Sequence, residues 1–507
     1  MMSSFAAGFG AICSPMGFGI IILCVAAGIV FGSIPGLSAT MAIALFLPVS
    51  YSLSPVMGMT MLVSIYIGGV SGGLISAILL KMPGTPSSVA TCFDGYPMTQ
   101  KGQAVKALGV GVFFSFMGTL VSIIALIFIA PNLADIALKF GDFEYFSIAV
   151  FSLTMIASLS GDSMIKGLLS GVFGIMLATV GLAPIDAAQR FTFGSTQLSA
   201  GLDILPVLIG MFALSEIMAT AEISKNAGKA KILSINMKNT KGFGFSVKEG
   251  VQQIPNAVRS ALIGLGIGIL PGLGGSTSNL IAYTVAKNQS KYPEKFGTGI
   301  IDGVVATETS NNASVGGAMI PLLTLGIPGD MATAMLLGGL MIHGLVPGPL
   351  LFKQDPVLVY GIFVAMLIAN LVMLFEEFFG LRAFVMTLRT PKHILLPIIF
   401  VLCIVGAFGL NSRVFDTFIV IAFGVVGYIF IKLKLPVAPL IMGFILGSTV
   451  ETYFRRALMT SKGSYIPFFA RPISGTFLAI AAISIVATIY KNIKKVKNKK
   501  KQEAEGQ

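Results

Sequence analysis

Long apolar runs, each close to the roughly 20 residues that a membrane-spanning helix needs, follow one another along almost the whole chain. Short stretches of glycine, proline and serine separate them. The first run, residues 17–31, meets Gly32-Ser33-Ile34-Pro35-Gly36-Leu37-Ser38 and resumes to about residue 47. Proline removes a helix donor and glycine loosens the backbone, so a helix breaks or reverses there. Further spans are expected at 56–80, 104–130, 143–160, 164–183 and 203–221. The GGVSGG run from Gly68 to Gly73 suits close helix–helix approach. After it, Met82-Pro83-Gly84-Thr85-Pro86-Ser87-Ser88 and Phe93-Asp94-Gly95-Tyr96-Pro97 read as a break followed by a compact loop.

The breaks recur. Gly268-Ile269-Leu270-Pro271-Gly272-Leu273-Gly274 repeats the G-x-x-P-G-L pattern of Gly32 to Leu37, and Ile327-Pro328-Gly329 answers Met82-Pro83-Gly84. Leu435-Pro436 through Gly443 to Glu451 answers Leu205-Pro206 through Gly210 to Glu216. Three landmarks in the same order predict an internal duplication: residues 1–222 and 251–471, with a connector over 223–250 and a last helix and tail over 472–507. One stretch breaks the apolar pattern. From Glu308 to Asp330, Glu308, Thr309, Ser310, Asn311, Asn312 and Ser314 crowd into a region that is otherwise strongly apolar. A lipid-facing helix has no use for so many hydrogen-bonding groups, so they are expected to surround something bound.

Composition fixes the setting. The chain is 55% hydrophobic and 11% charged, with a mean hydropathy of +0.90, against roughly 25% charged residues in a soluble domain. Its first charged side chain is Lys81, and residues 107–134 are again uncharged. The expected class is an all-α polytopic membrane protein with about 11–12 spans plus broken or re-entrant helices. The N-terminus lacks the basic region of a cleaved signal peptide, so it is read as part of the mature protein. Cys13, Cys24, Cys92 and Cys403 show no metal or disulfide spacing and are read as packing residues.

Charge sets the orientation. The net charge of +13 concentrates in six lysines between Ile223 and Glu249 and in the tail from Lys491. The positive-inside bias places both in the cytoplasm; nucleic acid is not an expected partner. Counting back, the loop holding Lys81, Lys101 and Lys106 falls inside, and the loops Asp135 to Glu144 and Asp186 to Arg190 fall outside. The Pro35 break then enters from outside and the Pro271 break from inside, so the two repeats are inverted, as in many secondary transporters. Arg455, Arg456, Lys462 and Arg471 fit this scheme poorly, since they would lie outside.

The glycine-proline breaks at Pro35 and Pro271, the Tyr66 to Gly84 run, Asp94-Gly95-Tyr96-Pro97, the Glu308 to Gly329 run and Gly344-Leu345-Val346-Pro347-Gly348-Pro349 together resemble the large membrane subunit of the bacterial tripartite tricarboxylate transporters. The likeness runs from about Pro15 to Arg471. It implies an inner-membrane protein with a cytoplasmic C-terminus, working with a small four-helix membrane subunit and a periplasmic solute-binding protein that delivers a carboxylate. It also implies uptake driven by an ion gradient, consistent with the absence of a G-x-x-x-x-G-K-S/T loop. Asp302, Lys81 and Asp330 depart from the family pattern.

A carboxylate in a low-dielectric site needs its charge met, yet none of the breaks carries an arginine. A broken helix offers free N–H groups and a positive dipole end instead. The substrate-binding candidates are therefore Pro35, Gly36, Ser38 and Thr40, with Pro271, Gly272, Gly274, Ser276, Thr277, Ser278 and Asn279. The two tips are expected to meet near the midplane; packing kinks are the alternative. Thr85, Ser87, Ser88, Glu308, Asn311, Asn312, Pro328 and Gly329 form the polar wall expected to take a coupling Na+ or H+. No other metal or cofactor is expected. An enzyme is not expected either, because His343 and His393 stand far apart without an HExxH motif. His343 is read as structural. A passive anion channel, or a permease for another organic anion, is the alternative.

Overall fold

In the computed structural model of the protein, residues 2–159, 164–226, 243–388 and 391–505 are described. Most of the basic connector and Arg389 lie outside them. Apart from a hairpin pairing Gly181–Leu182 with Gln189–Arg190, the regular structure is helical. The fold is that of an all-α polytopic membrane protein.

The chain opens with α1 (Met2–Ile12), α2 (Pro15–Ser33), α3 (Ala39–Ser50) and α4 (Pro55–Leu80). A 3-10 turn at Pro86–Ser88 leads to α5 (Thr91–Gln100), α6 (Ala104–Ala137), α7 (Asp142–Leu159) and α8 (Met164–Ala178). After the short α9 (Thr196–Ser199), α10 (Ile204–Leu208) continues through a π-turn, Ile209–Leu214, into α11 (Ser215–Asn226). Next come α12 (Val247–Gln252), α13 (Ile254–Ile269), α14 (Gly274–Gln289), α15 (Ile301–Leu325), α16 (Met331–Ile342) and α17 (Leu351–Gln354). The last six are α18 (Pro356–Thr387), α19 (Lys392–Asn411), α20 (Val414–Lys432), α21 (Val437–Thr460), α22 (Ile466–Ala470) and α23 (Pro472–Glu505).

Among the described residues, eight segments are long and apolar enough to cross a membrane; they lie in α2, α4, α6, α10–α11, α18, α19, α20 and α21. With 25 residues α15 has the length but is not among them, because its middle is Thr, Glu, Ser and Asn.

Two compact units emerge. The larger comprises Met1–Leu138 and Ile204–Ile429, the smaller Lys139–Asp203 and Phe430–Gln507. In the larger, α2 and α18 pack on α4, while α13, α14 and α6 pack on α15. The helix α4 is buried from Gly58 to Leu79 and α15 from Gly303 to Thr324.

The smaller unit packs α21 against α7 and α8, and α23 against α7. Here the awkward basic segment finds its counter-charges. Arg455 donates to Asp186 at 2.7 Å, Arg190 pairs with Glu451 at 2.8 Å, and Arg471 reaches Glu144 at 3.2 Å. The arginine's hydrogen bond holds the Asp186 carboxyl below its ordinary value. Arg455 and Arg471 thus meet the acids of the two loops that charge counting puts outside. A count of Lys and Arg along the chain does not register such local pairing.

Residues 93–97 are a correction: they belong to the helix α5, with Pro97 inside it. The Asp94 carboxylate, fully buried, accepts N–H bonds from Gly297, Gly299 and Ile300 at 2.9, 2.7 and 3.0 Å and the Tyr283 hydroxyl at 2.9 Å. It anchors the loop from which α15 starts.

Candidate functional site

Two crossings of the same kind hold the site. In the first, Gly28 and Gly32 of α2 lie on α4 so closely that a Cβ on either would fall inside 3.0 Å of the Ile65 and Gly69 backbones. In the second, Gly264 and Gly268 of α13 lie equally close to the Ser310 and Ser314 backbones of α15. Each crossing is closed by a Pro-Gly break. A Cβ on Gly84 would strike the Gly32 carbonyl, and one on Gly329 would sit 2.5 Å from the Gly268 carbonyl. Only glycine allows backbones this close.

Into this frame α15 brings Glu308. Thr91 of α5 donates to its Oε1, and Ser115 of α6 donates to Oε2 at 3.1 Å. The Asn312 amide lies 3.4 Å from Oε2 and donates to Ser115 Oγ at 2.8 Å. Asn279 of α14 accepts the Ala90 N–H at 2.9 Å, and its amide lies 3.4 Å from both Thr91 Oγ1 and the Thr307 carbonyl. Three helices, α5, α6 and α15 itself, thus meet at a carboxylate that has neutral donors and, among the described residues, no ion-pair partner, with α14 bracing Thr91 beside it.

One turn further along α15 the picture changes. Both amide atoms of Asn311 are buried without a hydrogen-bond partner, as are Asn312 Oδ1 and the hydroxyls of Thr309 and Ser310. The Asn311 Oδ1 faces Gly275, at the start of α14, with Ser87 Cβ and Ser314 Oγ 2.9 and 3.1 Å from where a Gly275 Cβ would be. Ser87 Oγ is 3.1 Å from Thr85 Oγ1, and Thr85 and Ser88 cap the 3-10 turn reciprocally. Gly274, at φ +53, lies against Asp330. Asp330 caps α16 and accepts the Tyr66 hydroxyl of α4 at 2.6 Å. Pro328 and Gly329 are buried behind it. An unsatisfied buried amide costs about 1–3 kcal/mol, so a wall this rich in them suits a polar ligand.

The expected residues therefore separate. Gly274, Thr85, Ser87, Ser88, Glu308, Asn311, Asn312, Pro328 and Gly329 are brought together, with the Pro271-Gly272 turn leading into them. Ser278 donates to the Gly275 and Ser310 carbonyls at 3.1 and 3.2 Å, so it and Asn279 hold α14 in place. Ser276 and Thr277 remain partly exposed on its first turn. The Pro35 turn has other neighbours. Gly36, at φ +90, gives its carbonyl to the Thr220 hydroxyl at 2.9 Å, and the Lys392 ammonium donates to the Pro35 carbonyl at 2.7 Å. Ser38 caps α3 through the Met41 N–H, and Thr40 is buried in its first turn. Among the described residues no hydrogen bond joins the two turns.

Reading the sequence alone misses Tyr66, Thr91, Ser115 and Lys392. Lys392 counts there only as a topological charge, and no local pattern announces that it reaches Pro35. His343 packs against Gly58 at the end of α16.

Comparison with known proteins agrees with this architecture. The chain matches the Tripartite tricarboxylate transporter TctA family over residues 18–442. It is 34% identical over 502 residues, 98% of each chain, to an Agrobacterium vitis protein described as "Uncharacterized 52.8 kDa protein in TAR-I ttuC' 3'region". A second protein of that organism, "Uncharacterized protein in TAR-II ttuC' 3'region", is 34% identical over 228 residues, 45% of this chain and 94% of its own. No solved structure matches. A membrane protein with glycine-locked crossings around a buried polar helix, matched over most of its length, belongs to the TctA family of tripartite tricarboxylate transporters.

Proposed function

We propose that this chain is the large membrane subunit of a binding-protein-dependent secondary transporter that imports a di- or tricarboxylate, driven by a Na+ or H+ gradient. The TctA family works in tripartite systems with other subunits. The chain then sits in the bacterial inner membrane with its C-terminus in the cytoplasm, and its partners are a small four-helix membrane subunit and a periplasmic solute-binding protein. The observation that carries this reading is α15: buried from Gly303 to Thr324, yet with the Asn311 amide unpartnered where it faces Gly275 and Ser87. A polar surface kept unsatisfied within the protein is what a solute or ion must find when it leaves water.

The repeated crossing supports a reading of alternating access. The frames α2–α4 and α13–α15, each closed by its own Pro-Gly break, are taken as the cores of two inverted repeats, residues 1–222 and 251–471, each moving as one piece because its glycines interlock. The α14 N-terminus and the wall of α15 hold the ligand between them, while the Pro35 turn of the first repeat is met by the Lys392 ammonium, which comes from the second.

The test is uptake of labelled di- and tricarboxylates into proteoliposomes holding both membrane subunits, with and without the binding protein and an imposed Na+ or H+ gradient. Accumulation that needs both is expected. Equal flux without either would make the protein a passive channel and sink the coupled reading.

A further inference from the structure

The buried carboxylate of Glu377 in α18 lies outside the site just described. Glu377 is fully buried, four residues from the end of a span, Pro356–Leu381, that packs on α4. Ser71, in the GGVSGG run of α4, donates to its Oε2 at 2.8 Å. Its Oε1 has no hydrogen-bond partner, nor has Oε2 of the adjoining, partly exposed Glu376. Among the described residues no cation pairs with either. The titratable groups facing the pair are Glu308 on α15 and, towards Glu376, the Cys24 thiol on α2. The other surrounding helices bring nothing to balance it: α1 is uncharged, α4 offers only hydroxyls, and Lys106 on α6 is engaged by Glu249.

We propose that Glu377 is a proton-binding site, taking a proton from solvent on its free carboxylate oxygen and returning it to solvent. The hydrogen-bond inventory separates it from Glu308. Glu308 has hydroxyl donors on both oxygens and an amide close by, an environment made for a carboxylate; Glu377 has one donor for two oxygens. A Na+ ion would require several oxygen ligands around it, and Ser71 is the one hydroxyl bonded here. A proton needs a single acceptor. An isolated carboxylate in so dry a place is costly, and protonation removes that cost. Half-buried Glu376 next to it is the group through which a proton reaches the surface.

This deepens the uptake reading by naming H+ as an ion that the transporter carries, but the site exists or not independently of that reading. It is tested by pH-difference infrared spectroscopy on the purified full-length chain, which reads the C=O stretch of a protonated carboxyl. A band that appears on acidification is expected, lost in Glu377→Gln and displaced in Ser71→Ala. A band indifferent to both substitutions, or one present at every pH, overturns the proposal. If Glu377→Gln does not fold, Ser71→Ala decides alone. In proteoliposomes, stimulation of uptake by an inward proton gradient should be lost in Glu377→Gln; full stimulation in a folded variant would also overturn it. If the unmodified protein moves no solute, the uptake reading fails while the infrared result still decides the proton site.

Discussion

Three glycines of α13, two residues apart from one another, allow the crossing to be tested within a single helix. Alanine at position 264, 266 or 268 adds the same methyl group and gains the same helix propensity, about 1 kcal/mol over glycine. That shared gain cancels on comparison, leaving the surroundings. At Gly266 nothing lies within 4 Å, so Gly266→Ala should be neutral or slightly stabilising. At Gly268 the new Cβ would fall 2.6 Å from the Ser314 carbonyl and 3.1 Å from the Ala318 nitrogen, both backbone atoms of α15. Ordinary contact begins at 3.4 Å, so the two helices would have to part by about 0.8 Å. Overpacking a rigid contact costs about 1–3 kcal/mol, and Gly264→Ala, closer still, should sit at the upper end. Membrane proteins often unfold irreversibly, so the assay is the fraction of monodisperse detergent-solubilised protein surviving brief heating at a series of temperatures. The expected order is Gly266→Ala, then the unmodified protein, then Gly268→Ala and Gly264→Ala. Equal survival of Gly264→Ala and Gly266→Ala would refute the backbone-lock argument.

Other expectations concern single side chains. Asn311→Leu removes an amide with no partner, so heat resistance should hold or rise while carboxylate uptake disappears; undiminished uptake would show that the amide faces no ligand. Asp94→Asn weakens acceptance of three N–H bonds at the start of α15. Hydrogen bonds to a charged group are worth about 1.5–3 kcal/mol each, so a clear fall in heat resistance and faster amide exchange at 297–300 are expected; unchanged exchange there would count against the anchor. Glu249 of α12 is held down at about 2 by its bond to Lys106 and by the Ser246 N–H. A depressed carboxyl stabilises above its unfolded value and loses that contribution as pH falls towards about 2. Exchange protection at 246–252 should therefore decline on acidification, modestly because the pair is partly exposed, and Lys106→Met should shrink that pH dependence to the part the Ser246 bonds supply.

The spans and breaks are readable in sequence because they rest on local rules: apolar length, and the backbone demands of proline and glycine. The correspondence of Gly32 with Gly268, and of Gly84 with Gly329, shows in the repeat, but the contacts of Gly84 with Gly32 and of Gly329 with Gly268 do not. Asp94 is harder. Asp-Gly-Tyr-Pro has the composition of a turn, and only tertiary N–H donors more than 200 residues away explain why it lies in a helix. Lys392 and Glu377 are harder again. A lysine at the start of one span, and a glutamate in the run Phe375-Glu376-Glu377-Phe378, take their meaning from Pro35 and Ser71, whose distance no periodicity encodes.

The polarity of α15 has a consequence for biogenesis. Taken by itself, this helix is less apolar than the eight spanning segments, and partitioning Glu308 and two asparagines one helix at a time would be unfavourable. The donors that satisfy Glu308 come from α5 and α6, which emerge from the ribosome well before it, whereas α13 and α14 emerge just ahead of it. Insertion of α15 therefore depends on a receptive surface already assembled from earlier helices. Truncations ending soon after residue 325 should integrate it far less well once Ser115 and Thr91 are replaced by alanine, a dependence that glycosylation mapping of its flanks would reveal.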